Sequence, residues 1–479
     1  MISREDFQII YDQGADSLYA LFESLTSTTV SLAAKVNELE GRLNKKSNNS
    51  SKPPSSDGLS KKPNPQSLRK KSGKKPGGQL GHLGKTLELS PNPDITIVDS
   101  PTHCQHCAAS LEGATLVEIE KHQVIDVPQP KLLTTEYQVE TRCCSICQGK
   151  TRGEFPDHAK SRVQYGATIK AWATYLSQGH LLPYFRTCEV LSDLLGSNIS
   201  EGTLYNSLQK AKSVLEVIET AIKDDICINE VVHFDETGLR VGNKLKWLHS
   251  SSTKLLTYYS CQEKRGSVAL DKIGILSEFP GVAIHDGWKP YLKYACKHGL
   301  CNAHHLRELK SIEEQPNQPW AKKMAEHLRE IKQSVDEAKC LKHSCLTQEA
   351  IAPLLLRYQA ILKEGYDLNP EPKRTKKRGR PPQGKARNLI LRLDRQSEAV
   401  LLFMYDFRVP FDNNLAERDV RMVKTKQKVS GCFRSDEGVE AFCTIRAYIS
   451  TMRKQGFDIL TALKSVFGPQ PIMPKLTPE

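Results

Sequence analysis

No apolar run in the 479 residues approaches the ~18–20 needed to span a bilayer, and Met1 to Ile10 lacks a basic stretch followed by an apolar one. These absences exclude a membrane-embedded protein and predict a soluble, unexported, cytoplasmic one. Cysteine is too sparse for a disulfide scaffold. Of 14 in the chain, four form two Cys-x2-Cys pairs, which in a reducing compartment read as metal ligands. Acidic residues are the other shortage: 55 Asp and Glu face 68 Lys and Arg, a net charge of +13, so the expected partner is a polyanion. The deficit is local. Lys45 to Lys85 has eleven cations and one acid, Asp57, while Lys373 to Arg387 has eight cations and no acid. Taking this +10 and +8 from +13 leaves the rest at −5, a mildly acidic body carrying two cationic segments.

Leu18, Leu25, Leu32 and Leu39 recur every seven residues, with Phe22, Thr29, Val36 and Leu43 between them. Apolar residues at both seam positions predict a short coiled coil over 1–45 that joins copies into a homodimer or higher multimer. An amphipathic helix packed on its own chain has the same periodicity. Residues 46–92, with Lys74 and Lys75 among their cations, hold too little apolar surface to offset the entropy of ordering and predict a flexible basic linker that meets phosphates. Over 93–158, Cys104-x2-Cys107 and Cys144-x2-Cys147, separated by 36 residues of alternating character such as Leu116 to Val127 and Leu132 to Thr141, can supply four thiolates to a tetrahedral zinc closing a small β-ribbon. Cys143 could stand in for Cys144, and His103 and His106 could compete. Residues 159–226 read as helical. Within them Gly196 to Leu204 is a turn with Ser200 as a candidate N-cap, a pattern common to helix-turn-helix modules and ordinary core hairpins.

From Glu230 the texture changes to strand. Val231 to Phe234 runs into Asp235-Glu-Thr-Gly, strands at Lys246 to Ser250 and Leu255 to Ser260 follow, and Gly281 to Ile284 leads through His285 into Asp286-Gly-Trp. Two strands each ending in a carboxylate beside a Gly-containing turn place both acids at one sheet edge. The segment Asp412 to Arg421 reads as helical, with a start rich in cap-type residues, and carries the acids Asp412, Glu417 and Asp419. Alternation turns Glu236 to the opposite strand face from Asp235, helical spacing puts Asp419 on another helix face from Glu417, and Asp412, a cap-like acid, is the rival to Glu417. Carboxylates that converge suit hard divalent cations.

Several stretches in one order carry a resemblance: NNSSKPPSSDG (Asn48 to Gly58), GGQLGHLG (Gly77 to Gly84), the two Cys pairs, FDETGLRV (Phe234 to Val241), HDGWKPY (His285 to Tyr291), CNAHHLREL (Cys301 to Leu309) and DNNLAERDVR (Asp412 to Arg421). From about residue 18 to 467 the chain resembles the insertion sequence 66 family of bacterial transposases. That resemblance implies a multidomain α/β protein with an RNase H-like, mixed-sheet catalytic core. The core would lie in 227–312 and 409–479, interrupted by an α-helical insertion at 313–408 and preceded by the coiled coil, linker, zinc ribbon and a helical DNA-binding region.

It also implies a DDE triad of Asp235, Asp286 and Glu417 holding two magnesium or manganese ions, which cuts 3′ ends of an insertion sequence and transfers them to target DNA. Lys424, with Arg418 and Arg421, corresponds to the cations that grip double-stranded DNA, and Cys301-x2-His304-x2-Arg307 to a supporting element with only two metal-type ligands. Trp288 stands where the family usually has Tyr, and Asn302 where it has Trp. Arg378-Gly-Arg380-Pro resembles an AT-hook core suited to a narrow minor groove. Accessory proteins of the same element are possible partners. The competing readings are a domesticated, non-catalytic, zinc-dependent DNA-binding protein and an RNase H-like nuclease without strand transfer.

Overall fold

The computed structural model describes residues 4–43, 87–128, 130–372 and 383–477. Lys74, Lys75, Arg378 and Arg380 lie outside the described residues. The chain divides into two compact units, one of Met1–Pro65, Tyr137–Val190 and Ile199–Glu479, the other of Gln66–Glu136 and Leu191–Asn198. No helix among the described residues is long and apolar enough to cross a membrane.

In the larger unit, Gly14 in the left-handed region separates helix α1 (Arg4–Asp12) from α2 (Ala15–Leu43). Along the α2 seam Phe22, Leu25, Leu32, Val36 and Leu39 are each 47–64% exposed, while Leu18 is half-buried. Among the described residues of 93–158 the strands are short: β1 (Thr141–Cys143) pairs antiparallel with β2 (Lys150–Arg152). In the smaller unit Val117, Ile119, Val124, Ile125 and Val127 are all largely exposed. Alternation yields a strand only where a facing layer buries one side, and none does so here.

Helix α3 (Ala167–Thr174) runs into a π-turn, Tyr175–Gly179, followed by α4 (Tyr184–Leu195) and α5 (Glu201–Ile228). The central sheet comprises β3 (Val231–Val241), β4 (Lys244–Ser252), β5 (Thr257–Gln262), then, after α6 (Ser267–Ile273), β6 (Val282–His285) and β7 (Lys297–Leu300). Its order is β5-β4-β3-β6-β7, antiparallel through the first three and parallel through the last three. Strand β3 outruns the expected end at Phe234. Asp235 and Glu236 pair with Ser250 and His249, and the chain turns only at Gly242, whose φ is +56°.

After the sheet come α7 (Asn302–Glu313) and then α8 (Pro319–Cys340), α9 (Gln348–Leu368), α10 (Lys385–Arg395) and α11 (Ser397–Tyr405), the last four in the stretch 313–408 expected to be an insertion. Its core of Trp320, Met324, Leu328, Tyr358, Ile390 and Leu393 is continuous with Val282, Ile284 and Leu300 of the sheet. The chain ends with α12 (Asn414–Ser430), α13 (Asp436–Lys454) and α14 (Ile459–Val466). Here Val420, Val423, Phe433 and Phe442 pack on Leu239, Val241, Leu248 and Tyr259. The two clusters thus support opposite parts of one sheet, and the edge between them is where the acids collect.

Ser200 caps α5 by accepting the Thr203 N–H at 3.1 Å. The Leu204, Leu208, Ala211, Leu215, Ile218 and Ile222 face of α5 is buried, α5 packs against α13, and Lys212–Glu440 and Thr444–Glu219 join the two helices. This is the face of a core helix, which favours the core-hairpin reading of the sequence pattern.

Candidate active site

Parallel pairing of β3 with β6 sets His233 opposite Ile284, so carrying the register two residues further brings Asp235 level with Asp286. The turn after β6 is built for its acid. The Trp288 N–H donates to Asp286 Oδ1 at 2.8 Å, and Gly287 sits at φ +85°, where a side chain would be strained. Behind it runs a chain with only one consistent set of tautomers. The Gly287 N–H donates to His285 Nδ1 (3.0 Å), His285 Nε2–H to His298 Nδ1 (3.0 Å), and His298 Nε2–H to the Tyr294 carbonyl (3.1 Å). Burial, then His298, lowers His285 to about 3, so this buried histidine remains neutral and serves to hold the turn.

Glu417 lies in the first turn of α12, whose entry is fixed by Asn413, 1% exposed. Asn413 Nδ2 donates to the Phe234 carbonyl (2.8 Å), Oδ1 accepts from His233 Nδ1–H (2.8 Å), and its own N–H donates to Cys301 Sγ (3.2 Å). One amide therefore ties the helix carrying Glu417 to the strand residue preceding Asp235. Composition marked Asn413 only as a cap-type residue; its partners lie far away in sequence and left no local signal.

Asp235 is half-buried, and its carboxylate accepts the Glu236 N–H at 2.9 Å. Burial, followed by the charges of Glu236, Asp286 and Glu417, raises its pKa well above the usual carboxylate range. The neighbouring acids are committed elsewhere. Glu236, with a side chain 2% exposed, accepts from Arg265 Nε (2.8 Å) and Nη2 (2.6 Å) and from the Tyr291 hydroxyl. The same guanidinium lies 4.1 Å from the Trp288 ring centre and 5.0 Å from that of Trp247. Asp419 accepts from Ser252 (2.6 Å) and Lys454 (3.0 Å), and Asp412 from the Asn414 N–H (3.1 Å). Asn302 is fully buried and bonded to the Val400 carbonyl and His305, a packing role.

The cations fall into two groups. Arg418, Arg421 and Lys428 are exposed at spacings of three and seven residues, one stripe of α12, with Arg421 also 3.0 Å from Glu417 Oε2. Lys424 is half-buried, and its ammonium donates to the Gly238 carbonyl of β3. Lys426 stands 4.2 Å from the Phe433 ring centre and is pushed down to about 8 by burial.

Cys301 ends the loop after β7, and His304 and Arg307 lie on α7. The sequence offered two ligands; the fold adds Glu417, and the three donor atoms lie within 4.8 Å of one another. Arg307 Nη2 is 3.5 Å and His304 Nδ1 3.7 Å from Glu417 Oε1. Burial and then Glu417 push the Cys301 thiol up to about 12, while burial and then Arg307 push His304 down to about 3.

The two Cys-x2-Cys loops belong to different units but share one local geometry. Cys104 N–H donates to Ala109 and Ala108 N–H to Cys104, at 2.8 and 2.9 Å; Cys144 N–H and Gln148 N–H repeat both bonds to Gly149 and Cys144 at the same lengths. Ala108 and Gln148 both have φ 58°. Backbone N–H groups of His106 and Cys107, and of Cys147 and Ile146, lower the Cys104 and Cys144 thiols. Cys143 instead donates its thiol to the Gln148 carbonyl.

A family model described as "Transposase IS66 family" matches residues 162–441, and one described as a family of unknown function (DUF6444) matches residues 11–88. No curated protein matches the chain. The first match takes in more than half of the residues, including the sheet, the insertion and all three carboxylates, and on that ground the chain belongs to the IS66 family of transposases.

Proposed function

We propose that this transposase acts by DDE chemistry, with Asp235, Asp286 and Glu417 as the catalytic carboxylates of an RNase H-like core, cutting 3′ ends of its element and joining them to target DNA. The observation that carries this reading is a contrast among acids. Asp235, half-buried, is pushed toward protonation by burial and by the charges of Glu236, Asp286 and Glu417, whereas Glu236 and Asp419 are ion-paired to Arg265 and Lys454. A converging set of oxygen donors that repel one another fits magnesium or manganese, which take oxygen ligands. When bound, two such ions supply an activated oxygen nucleophile and neutralise charge on the phosphate. The chain's own part is positional: the Glu236 N–H orients Asp235, the His285–His298 pair and Gly287 hold Asp286, and Asn413 sets the helix carrying Glu417. The test is incubation of the purified chain with its element's ends and magnesium. Cleaved and joined products are expected; binding without either product would favour a non-catalytic DNA-binding protein, and cutting without joining a nuclease.

The Cys104/Cys107 and Cys144/Cys147 loops are read as zinc ligands on their shared geometry, and the exposed residues of the α2 seam as the contact with a second copy. Leu25→Asp with Leu32→Asp is expected to reduce the sedimenting mass to that of a monomer; an unchanged mass would assign multimerisation elsewhere. The α12 stripe is read as a phosphate track, to which Lys74, Lys75, Arg378 and Arg380 are added from sequence alone. Replacing Arg418 and Lys428 by Ala should weaken DNA binding at every sequence and lower the slope of log K against log salt by about 2, near one unit per lost phosphate contact.

A further inference from the structure

Cys301, His304 and Glu417 form a second kind of donor set beside the carboxylates. Cys301 Sγ, in a residue 1% exposed, accepts the Asn413 N–H at 3.2 Å, and the His304 N–H is also directed at it. His304 Nδ1 is buried without a hydrogen-bond partner. Its neighbour Glu417 Oε1 is 3.7 Å away, too far for a hydrogen bond but close to the separation of two donors that each stand ~2.0–2.2 Å from one tetrahedral ion. That oxygen is only loosely held, by Arg307 at 3.5 Å, while Oε2 is engaged by Arg421 at 3.0 Å. Sulfur, imidazole and carboxylate together suit zinc or a similar late divalent ion and do not suit magnesium. Backbone N–H groups bonded to the sulfur are the kind of outer support that fixes a ligating thiolate.

We propose that Cys301 Sγ, His304 Nδ1 and Glu417 Oε1 bind one zinc-class ion beside the hard-ion centre of Asp235, Asp286 and Glu417, the two sharing the Glu417 carboxylate, with a fourth position for water. On binding, the Cys301 thiol releases its proton to solvent and forms the metal–sulfur bond; nothing is oxidised or reduced. The ion anchors Glu417 from the α7 side. This deepens the catalytic reading only through Glu417, and metal content tests it independently of transposition.

Full-length wild type, Cys301→Ser, His304→Gln, Asp235→Asn and Cys104→Ser are each loaded with zinc, passed into metal-free buffer and analysed for bound zinc per chain. Cys301→Ser and His304→Gln are expected to hold one ion fewer than wild type, whatever number the Cys-x2-Cys loops retain, and Asp235→Asn to match wild type. With cobalt(II) as probe, the sulfur-to-cobalt absorption should be weaker in Cys301→Ser than in wild type. Equal zinc in wild type and in folded His304→Gln overturns the proposal. That variant decides the matter even if Cys301→Ser misfolds, because His304 Nδ1 has no hydrogen bond to lose. A failed transposition assay with the one-ion difference intact would count against the catalytic reading alone.

Discussion

Asp235→Asn is expected to lower DNA cleavage at least about a thousandfold, roughly 4 kcal/mol of transition-state stabilisation at 1.36 kcal/mol per tenfold, with DNA binding retained. The same change should make the metal-free protein more stable. Asp235 is raised well above its ordinary value by burial and by Glu236, Asp286 and Glu417. An unfolded Asp gives up its proton near pH ~3.9, and the native one does so only at higher pH. Below both values the group contributes no pH dependence. As pH rises past the unfolded value the unfolded chain loses its proton first, so native stability falls until the folded value is passed. Replacing the carboxyl with an amide removes that loss. Thermal melts without divalent ions should decline less steeply with pH in Asp235→Asn, and magnesium should raise the midpoint of wild type only. A magnesium shift of equal size in both proteins would remove Asp235 from the site.

Asn413→Ala is expected to have the largest effect on stability of any change at the site that removes no charge. It strands the Phe234 carbonyl and His233 Nδ1 in the interior, where each orphaned group costs about 1–3 kcal/mol, so roughly 2–5 kcal/mol in all. In the folded fraction, Glu417 loses its tie to β3. A displacement near 1 Å costs on the order of a hundredfold in rate, and here it should appear in kcat with little change in KM for DNA. Urea titration measures the first and single-turnover cleavage the second. A fully stable, fully active Asn413→Ala would deny Asn413 both roles. Asn413→Asp should fail similarly, since it turns a carboxylate oxygen toward the Phe234 carbonyl.

These two residues mark how far the sequence was legible. Residues 159–226 read as helical and include α5, which buries one face at helical spacing, and Ser200 announced its cap. The family motifs picked out Asp235, Asp286 and Glu417. Cross-chain commitments had no such signal. Asp-Glu-Thr-Gly read as a turn because those residues favour turns, yet pairing with Ser250 and His249 carries β3 on to Val241. Glu236 finds Arg265, Asn413 finds β3, and Glu417 joins Cys301 and His304 across more than a hundred residues. Between the two Cys pairs, the alternation from Leu116 to Val127 leaves Val117, Ile119, Val124, Ile125 and Val127 exposed.

The central claim is that Asp235, Asp286 and Glu417 make one divalent-ion centre. Its most direct test is to load the purified chain with iron(II) in place of magnesium and map hydroxyl-radical scission of the backbone. Cuts are expected close to residues 235, 286 and 417 together, suppressed by excess magnesium and lost in Asp235→Asn. Scission that avoids 235 and 286, or that persists unchanged in Asp235→Asn, would contradict the account.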